Sequence, residues 1–270
     1  MITELKHKMH KILFFTSAML LLPTFAFAKT DEQKGFDISA RSDRSDRGFG
    51  DSQVKLKMIL RNAAGSESTR TLILKILEIP DESSGDKSII IFDRPADIRG
   101  TALLSHAKIL DPDNQWLYLP ALKRIKRISS VNKSGPFVGS EFAFEDLTAS
   151  ELNKYTYKYI ASEYCGTLKC DVVERYPQYK YSGYKRQLVW IDQNEKQIRK
   201  IEYYERRGEL LKTLVIDKYK KYQKNTWRAH YFVMDNHQTG KSTELIYSDY
   251  KFNTGLKDKD FRKDALRSSR

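Results

Sequence analysis

The sequence predicts a mainly β chain, folded as one antiparallel sandwich, barrel or strongly curved sheet. Three observations predict it. Apolar and polar residues alternate with period two from Val54 onward. Between Tyr155 and Tyr250, runs rich in Tyr, Val, Ile and Thr recur at roughly 8–12-residue spacing, which is how consecutive hairpins are written. Turn signals separate those runs, at Gln193-Asn194, Arg207-Gly208 and Thr239-Gly240.

The elements follow in order. Lys6, Lys8 and Lys11 precede an apolar run from Ile12 to Leu22, Pro23 breaks it, and Ala26-Phe27-Ala28 supplies small residues at −3 and −1. This is the layout of a secretory signal cleaved after Ala28, which leaves one domain over residues 29–270. The apolar run is shorter than the ~20 residues of a spanning helix. The compartment is then extracytoplasmic and oxidising, a bacterial periplasm. Residues 30–47 read as a short amphipathic helix and a polar stretch.

In the first strand Val54, Leu56, Met58 and Leu60 alternate with Lys55 and Lys57. Asn62-Ala63-Ala64-Gly65 turns the chain into a partner strand at 69–79, with Leu72, Leu74 and Ile76 on one face. Further strands are expected at 89–92, 102–109, 115–119 and 124–128. A loop holding Gly135, Pro136 and Gly139 leads to a helical turn at 148–153. Seven strands complete the meander, at 155–163, 170–176, 184–192, 198–204, 210–222, 226–235 and 242–252, before a short helical or coiled tail.

The chain carries a net charge of +13, dispersed along the sequence. It reads either as a solvated surface or as attraction to an anionic partner such as phospholipid headgroups, and a secreted chain makes nucleic acid a poor partner. Cys165 and Cys170 are the two cysteines, both in the mature chain. An even count in an oxidising space favours a disulfide across a tight turn at Gly166. Neither a metal-ligand set nor a Cys-x-x-Cys pair accompanies them, and no metal or cofactor is expected.

The sequence lacks His-Glu-x-x-His, a Gly-x-Ser-x-Gly elbow, a phosphate-binding glycine loop and a dinucleotide fingerprint. Glu141, Glu145 and Asp146 cluster, but Asp146 or Thr148 reads more simply as a cap for the turn that follows. The chain is not expected to be an enzyme. Low helical content against much sheet leaves room for an incompletely filled apolar cavity.

Two adjoining segments carry a family resemblance. They are Asp113-Asn114-Gln115-Trp116-Leu117-Tyr118-Leu119-Pro120-Ala121-Leu122-Lys123-Arg124-Ile125-Lys126-Arg127-Ile128 and Gly135-Pro136-Phe137-Val138-Gly139-Ser140-Glu141-Phe142-Ala143-Phe144-Glu145-Asp146-Leu147. Together with Arg94-Pro95 and Gly100 to Leu104, they resemble the LolA-like outer-membrane lipoprotein-sorting family. The resemblance implies an unclosed half-barrel, a single curved antiparallel sheet with a few helices plugging its concave face. It also implies carriage of lipid or lipoprotein acyl chains towards the outer membrane. An inner-membrane RND/MMPL-type transporter or an outer-membrane acceptor is the expected partner, and the carrier is expected to be a monomer. The chain departs from the best-known carrier in its greater length and its cysteine pair.

On this reading Met58, Leu60 and Leu74 line the cavity. Trp116 and Tyr118 share one strand face and Leu117 and Leu119 the other, and either face suits the cavity or plain core packing. Phe137, Phe142 and Phe144 sit on a glycine-hinged loop, as exposed gate residues or as local packing. Lys123, Arg124, Lys126 and Arg127 form a solvated face or a docking face for headgroups or a partner. The alternative function is an accessory module with a filled core that docks a transporter through this basic face.

Overall fold

The computed structural model describes residues 28–80, 84–109, 111–148, 151–223 and 226–267. The expected signal segment, residues 1–27, lies outside them.

The expected helix is present as α1 (Asp31–Ser45). Its start is set by a reciprocal cap: Gln33 N donates to Thr30 Oγ1 and Thr30 N to Gln33 Oε1, both at 3.2 Å. Gly35 lies so close to a strand that a Cβ there would stand 2.7 Å from Tyr159 N. Only glycine lets the helix reach that backbone.

Fifteen strands follow: β1 (Asp51–Arg61), β2 (Glu67–Leu77), β3 (Lys87–Arg94), β4 (Ala102–His106), β5 (Asn114–Leu119), β6 (Arg124–Ile128), β7 (Tyr155–Cys165), β8 (Leu168–Pro177), β9 (Tyr184–Asp192), β10 (Ile198–Glu205), β11 (Leu210–Asp217), β12 (Lys220–Tyr222), β13 (Thr226–Arg228), β14 (Tyr231–Asn236) and β15 (Ser242–Phe252). Thirteen of them form one sheet in the order β6-β5-β4-β3-β2-β1-β15-β14-β11-β10-β9-β8-β7. All pairings are antiparallel, and β1 against β15 joins the two halves. The long strand expected at 210–222 is broken, as is the one at 226–235. Lys218 and Gln223 adopt φ 55° and 48°, which turns β12 and β13 out as a separate two-stranded ribbon while β11 pairs directly with β14.

β6 and β7 are the free edges, so the sheet is an unclosed barrel. Its curvature can be read from two hydrogen bonds. Gln115 of β5 donates to Phe144 O at 2.9 Å, and Tyr184 of β9 donates to Asp146 at 2.7 Å. Those strands are nine places apart in the sheet. Laid flat they would be separated by ~43 Å, yet residues two apart in the chain touch both. The sheet must wrap around the segment that carries them.

Alternation sends Val54, Leu56, Met58, Leu72, Phe92, Val189, Ile201, Leu214 and Met234 into one large core on the inner face. A smaller outer core joins Ile89, Ile91 and Leu104 to Phe261 and Leu266 of the C-terminal tail. The expected plug of a few helices is one helix and one irregular segment. α1 covers the β7–β8 end, and residues 129–148 cross the inner face from edge β6. We call residues 129–148 the strap.

Candidate functional site

The strap is held by polar groups along its length. Both ends of the β6–β7 connection are tied to Asp113, in the turn before β5. Lys133 Nζ donates to its backbone carbonyl, and Lys154 Nζ to its carboxylate at 2.7 Å. Burial pulls the Lys133 ammonium down to about 8. Mid-strap, Glu141 N donates to Thr243 of β15 at 3.0 Å, and Asn236 of β14 donates to the Glu141 carboxylate at 2.7 Å.

Two carboxylates then pin the strap to the second half of the sheet. Asp146 pairs with Lys212 of β11 at 2.7 Å, both side chains being 4% exposed, and accepts from Tyr184 Oη and Ala143 N. Glu145 accepts from Tyr179 Oη, Ser182 Oγ and Gly183 N at 2.8–2.9 Å. Burial raises the Glu145 pKa, helped by the neighbouring Asp146 charge and opposed by the three donors. Asp146 thus caps the turn it belongs to, through Ala143 N, and not the turn that follows, whose N-cap Glu151 makes no side-chain cap bond; Asp146 is also half of a buried ion pair.

The aromatic residues of the strap point down. Phe137 is 0% exposed and Phe142 3%, and the Phe137 ring stands 5.6 Å from both Phe92 and Phe144. These residues are packed against the inner sheet, so of the two readings offered for them it is local packing, and not exposure on a gate, that the structure shows. The core beneath the strap brings Met58, Leu60, Leu74, Phe137, Phe142 and Phe144 together. Trp116 and Tyr118 are not among them. Strand alternation places both on the outer face, against Ile89, Ile91 and the tail, while Leu117 turns inward. Lys123, Arg124, Lys126 and Arg127 are all exposed along free edge β6, where Arg127 donates to Asn114 at 2.8 Å. Cys165 and Cys170 are bonded and close the β7–β8 turn, with Cα atoms 5.9 Å apart.

Open space on the inner face lies in the other half of the sheet. A cavity of about 310 Å³ is bordered by the C-terminal half of α1 and by β7–β11 and β13–β15, with Tyr157, Val189, Ile191, Ile216, Phe232 and Tyr250 on its walls. A second, of about 150 Å³, lies between the strap and β9–β11, against Tyr184, Ile201, Tyr203 and Leu214. Arg175 and Ile198 line both and so separate them. Arg175 is held by stacking 4.5 Å over Tyr155 and by donating to Gln187 at 2.6 Å. Glu151 also lines the larger cavity, and burial, with the Asp86 charge nearby, raises its pKa.

None of the residues lining the two cavities was singled out from sequence as a ligand contact. The signal was the same alternation that marked Met58 and Leu60. It could not say which half of the face the strap would fill. The arrangement offers two partly enclosed spaces whose aromatic and aliphatic walls are interrupted by charged groups, Asp46, Glu151 and Arg228 at the larger, Lys133, Glu145 and Lys154 at the smaller, and Arg175 at both.

Comparison with known proteins places this architecture. A family model described as an uncharacterized protein matches residues 84–268. A domain from Vibrio parahaemolyticus, described as an outer membrane lipoprotein-sorting protein, is 50% identical, with 87% of this chain and 99% of that one covered and a TM-score of 0.85. A DUF1329 family protein from Desulfovibrio piger is 26% identical over 88% of this chain and 100% of its own, with a TM-score of 0.83. A LolA superfamily protein from Nitrosomonas europaea shares the fold at 22% identity and a TM-score of 0.68, covering 88% of this chain and 100% of its own. No curated protein matches. With half its residues shared with the Vibrio domain over nearly the whole of that structure, the chain belongs to the family of that outer-membrane lipoprotein-sorting protein domain.

Proposed function

We propose that this protein is a periplasmic carrier that shelters lipid or lipoprotein acyl chains inside the unclosed barrel and passes them on without covalent chemistry. The observation that carries the reading is the pair of inner cavities, whose apolar and aromatic walls are interrupted by charged groups and which share Arg175 and Ile198. Their summed space falls in the range of small-molecule sites. Arg175 stands where an anionic head would meet an acyl chain. The 50% identical relative is described as a lipoprotein-sorting protein, and the disulfide suits an oxidising compartment reached through the N-terminal signal.

Release follows from the topology. The strap leaves edge β6 directly after Arg124, Lys126 and Arg127, so an acceptor or an RND/MMPL-type transporter that binds this edge acts on the strap's root. Freeing the strap would join the cavities to the core of Met58, Leu60, Leu74, Phe137, Phe142 and Phe144. Charge reversal at Arg124 and Arg127 should slow transfer and leave loading intact.

The test is native mass spectrometry of protein purified from the periplasm, with lipid extraction, beside Ile198→Trp, whose larger side chain fills the space between the cavities. Wild type should carry stoichiometric lipid on a chain beginning at Lys29, and Ile198→Trp should be folded and lipid-free. A lipid-free wild type that also fails to take up a fluorescent acyl probe would sink the carrier reading and favour the docking module.

A further inference from the structure

The outer face carries a concavity of its own, of about 470 Å³. Ile73 of β2 and Ile91 of β3, which are direct cross-strand partners, form its floor together with Tyr118 of β5, and Arg94, Arg99 and Arg267 stand around it. Elements far apart in sequence build it. Arg94 ends β3, and Arg99 is held in the following loop by donating from Nε to Asp93 O at 2.9 Å. Arg267 belongs to the tail, which is fastened to the sheet by Phe261 and Leu266, buried to 1% and 0% exposure.

The charge at this groove is one-sided. Asp93 is the one carboxylate among its lining residues, and it stands 4.0 Å from Arg94, at the limit of an ion pair. Three guanidinium groups thus face one carboxylate over an apolar floor. An occupant that satisfies both parts needs an anionic head and an apolar body. Guanidinium forks match phosphate oxygens two at a time. A free phosphate ion would make no use of Ile73, Ile91 and Tyr118. A peptide adding as a strand would find no free backbone, because β2, β3, β4 and β5 are each paired on both sides.

We infer that this outer groove seats one anionic phospholipid, its phosphate on Arg94, Arg99 and Arg267 and the upper part of an acyl chain on Ile73, Ile91 and Tyr118, and thereby holds the protein on an anionic membrane surface. The site is separate from the inner cavities and does not depend on what they carry.

Flotation with phosphatidylcholine vesicles, with and without phosphatidylglycerol, tests it at fixed salt. Wild type should float with the anionic vesicles only. The triple variant Arg94→Gln, Arg99→Gln, Arg267→Gln should bind at least about tenfold more weakly. So should Ile73→Glu, which leaves the arginines in place; circular dichroism checks that each variant is folded, and the triple variant suffices if Ile73→Glu is not. A triple variant with the same loss of charge elsewhere, Lys57→Gln, Lys241→Gln, Lys251→Gln, should bind as wild type does. An equal loss in that control, no binding by wild type, or displacement from vesicles by millimolar inorganic phosphate would each overturn the inference. Ile198→Trp should float normally, and the arginine variant should keep any internal lipid, so the two sites fail separately.

Discussion

Lys212 shows how much of the strap's position rests on single residues. Its ammonium lies on the inner face of β11, paired with Asp146 and bonded to Glu141 O at 2.9 Å. A buried pair is costly to break because the remaining charge loses its partner and gains no water. Lys212→Met should therefore cost about 3–5 kcal/mol in urea unfolding. A loss below about 1 kcal/mol would mean that Tyr184 and Ala143 alone satisfy Asp146. Gly183 matters for space. A Cβ there would stand 2.7 Å from Ser134 Cβ and 2.9 Å from Glu145 Oε1. Gly183→Ala should push the strap away from β9 and raise amide exchange across residues 133–146. At this scale the sequence was partly legible. Asp146 could be read as a capping residue because capping is local. Its partner Lys212 sits in a strand far along the chain, and no spacing rule connects them.

Among the elements, the strap has an anchoring that depends on pH. The folded state holds the Glu145 pKa above its ordinary value of 4.5. A carboxyl with a raised native pKa binds its proton more tightly folded than unfolded, so stability falls as pH rises from about 4.5 through the raised value. The group therefore costs most above that window. Wild type minus Glu145→Gln stability, measured across pH 4–8, should decline over the window, and a flat difference would refute the assignment. The free edges explain two further elements. β6 places Arg124, Lys126 and Arg127 at an unpaired edge, where charge discourages pairing with another chain. α1 covers β7 at the opposite edge through the close approach at Gly35. The helix and nearly all strands were legible from the patterning of apolar residues and from turn residues. The break between β11 and β12 was not, because positive φ at Lys218 is a non-glycine conformation that its residue type does not announce.

Across the whole molecule, β1 and β15 join the halves, and the inner core runs from Met58 and Phe92 through the strap to Val189 and Leu214. We expect residues 29–270 to unfold as one cooperative unit. Calorimetry should give a calorimetric enthalpy equal to the van 't Hoff value. Two resolved transitions, one for β1–β6 and one for β7–β15, would divide the chain into two domains.

By itself the sequence determined the fold class, the order of the hairpins, a short helix within residues 30–47 and the cysteine pairing. Each is written in neighbouring residues, as alternation, capping groups and turn residues. The resemblance at 113–128 and 135–147 added the unclosed barrel. Tertiary structure alone decided which face of β5 turns inward, which half of the inner face the strap fills and where the cavities are left. Period two marks two faces without naming the inner one. That choice is made by curvature and by contacts such as Gln115 with Phe144 and Tyr184 with Asp146, between residues that only the closed arc of the sheet brings within reach.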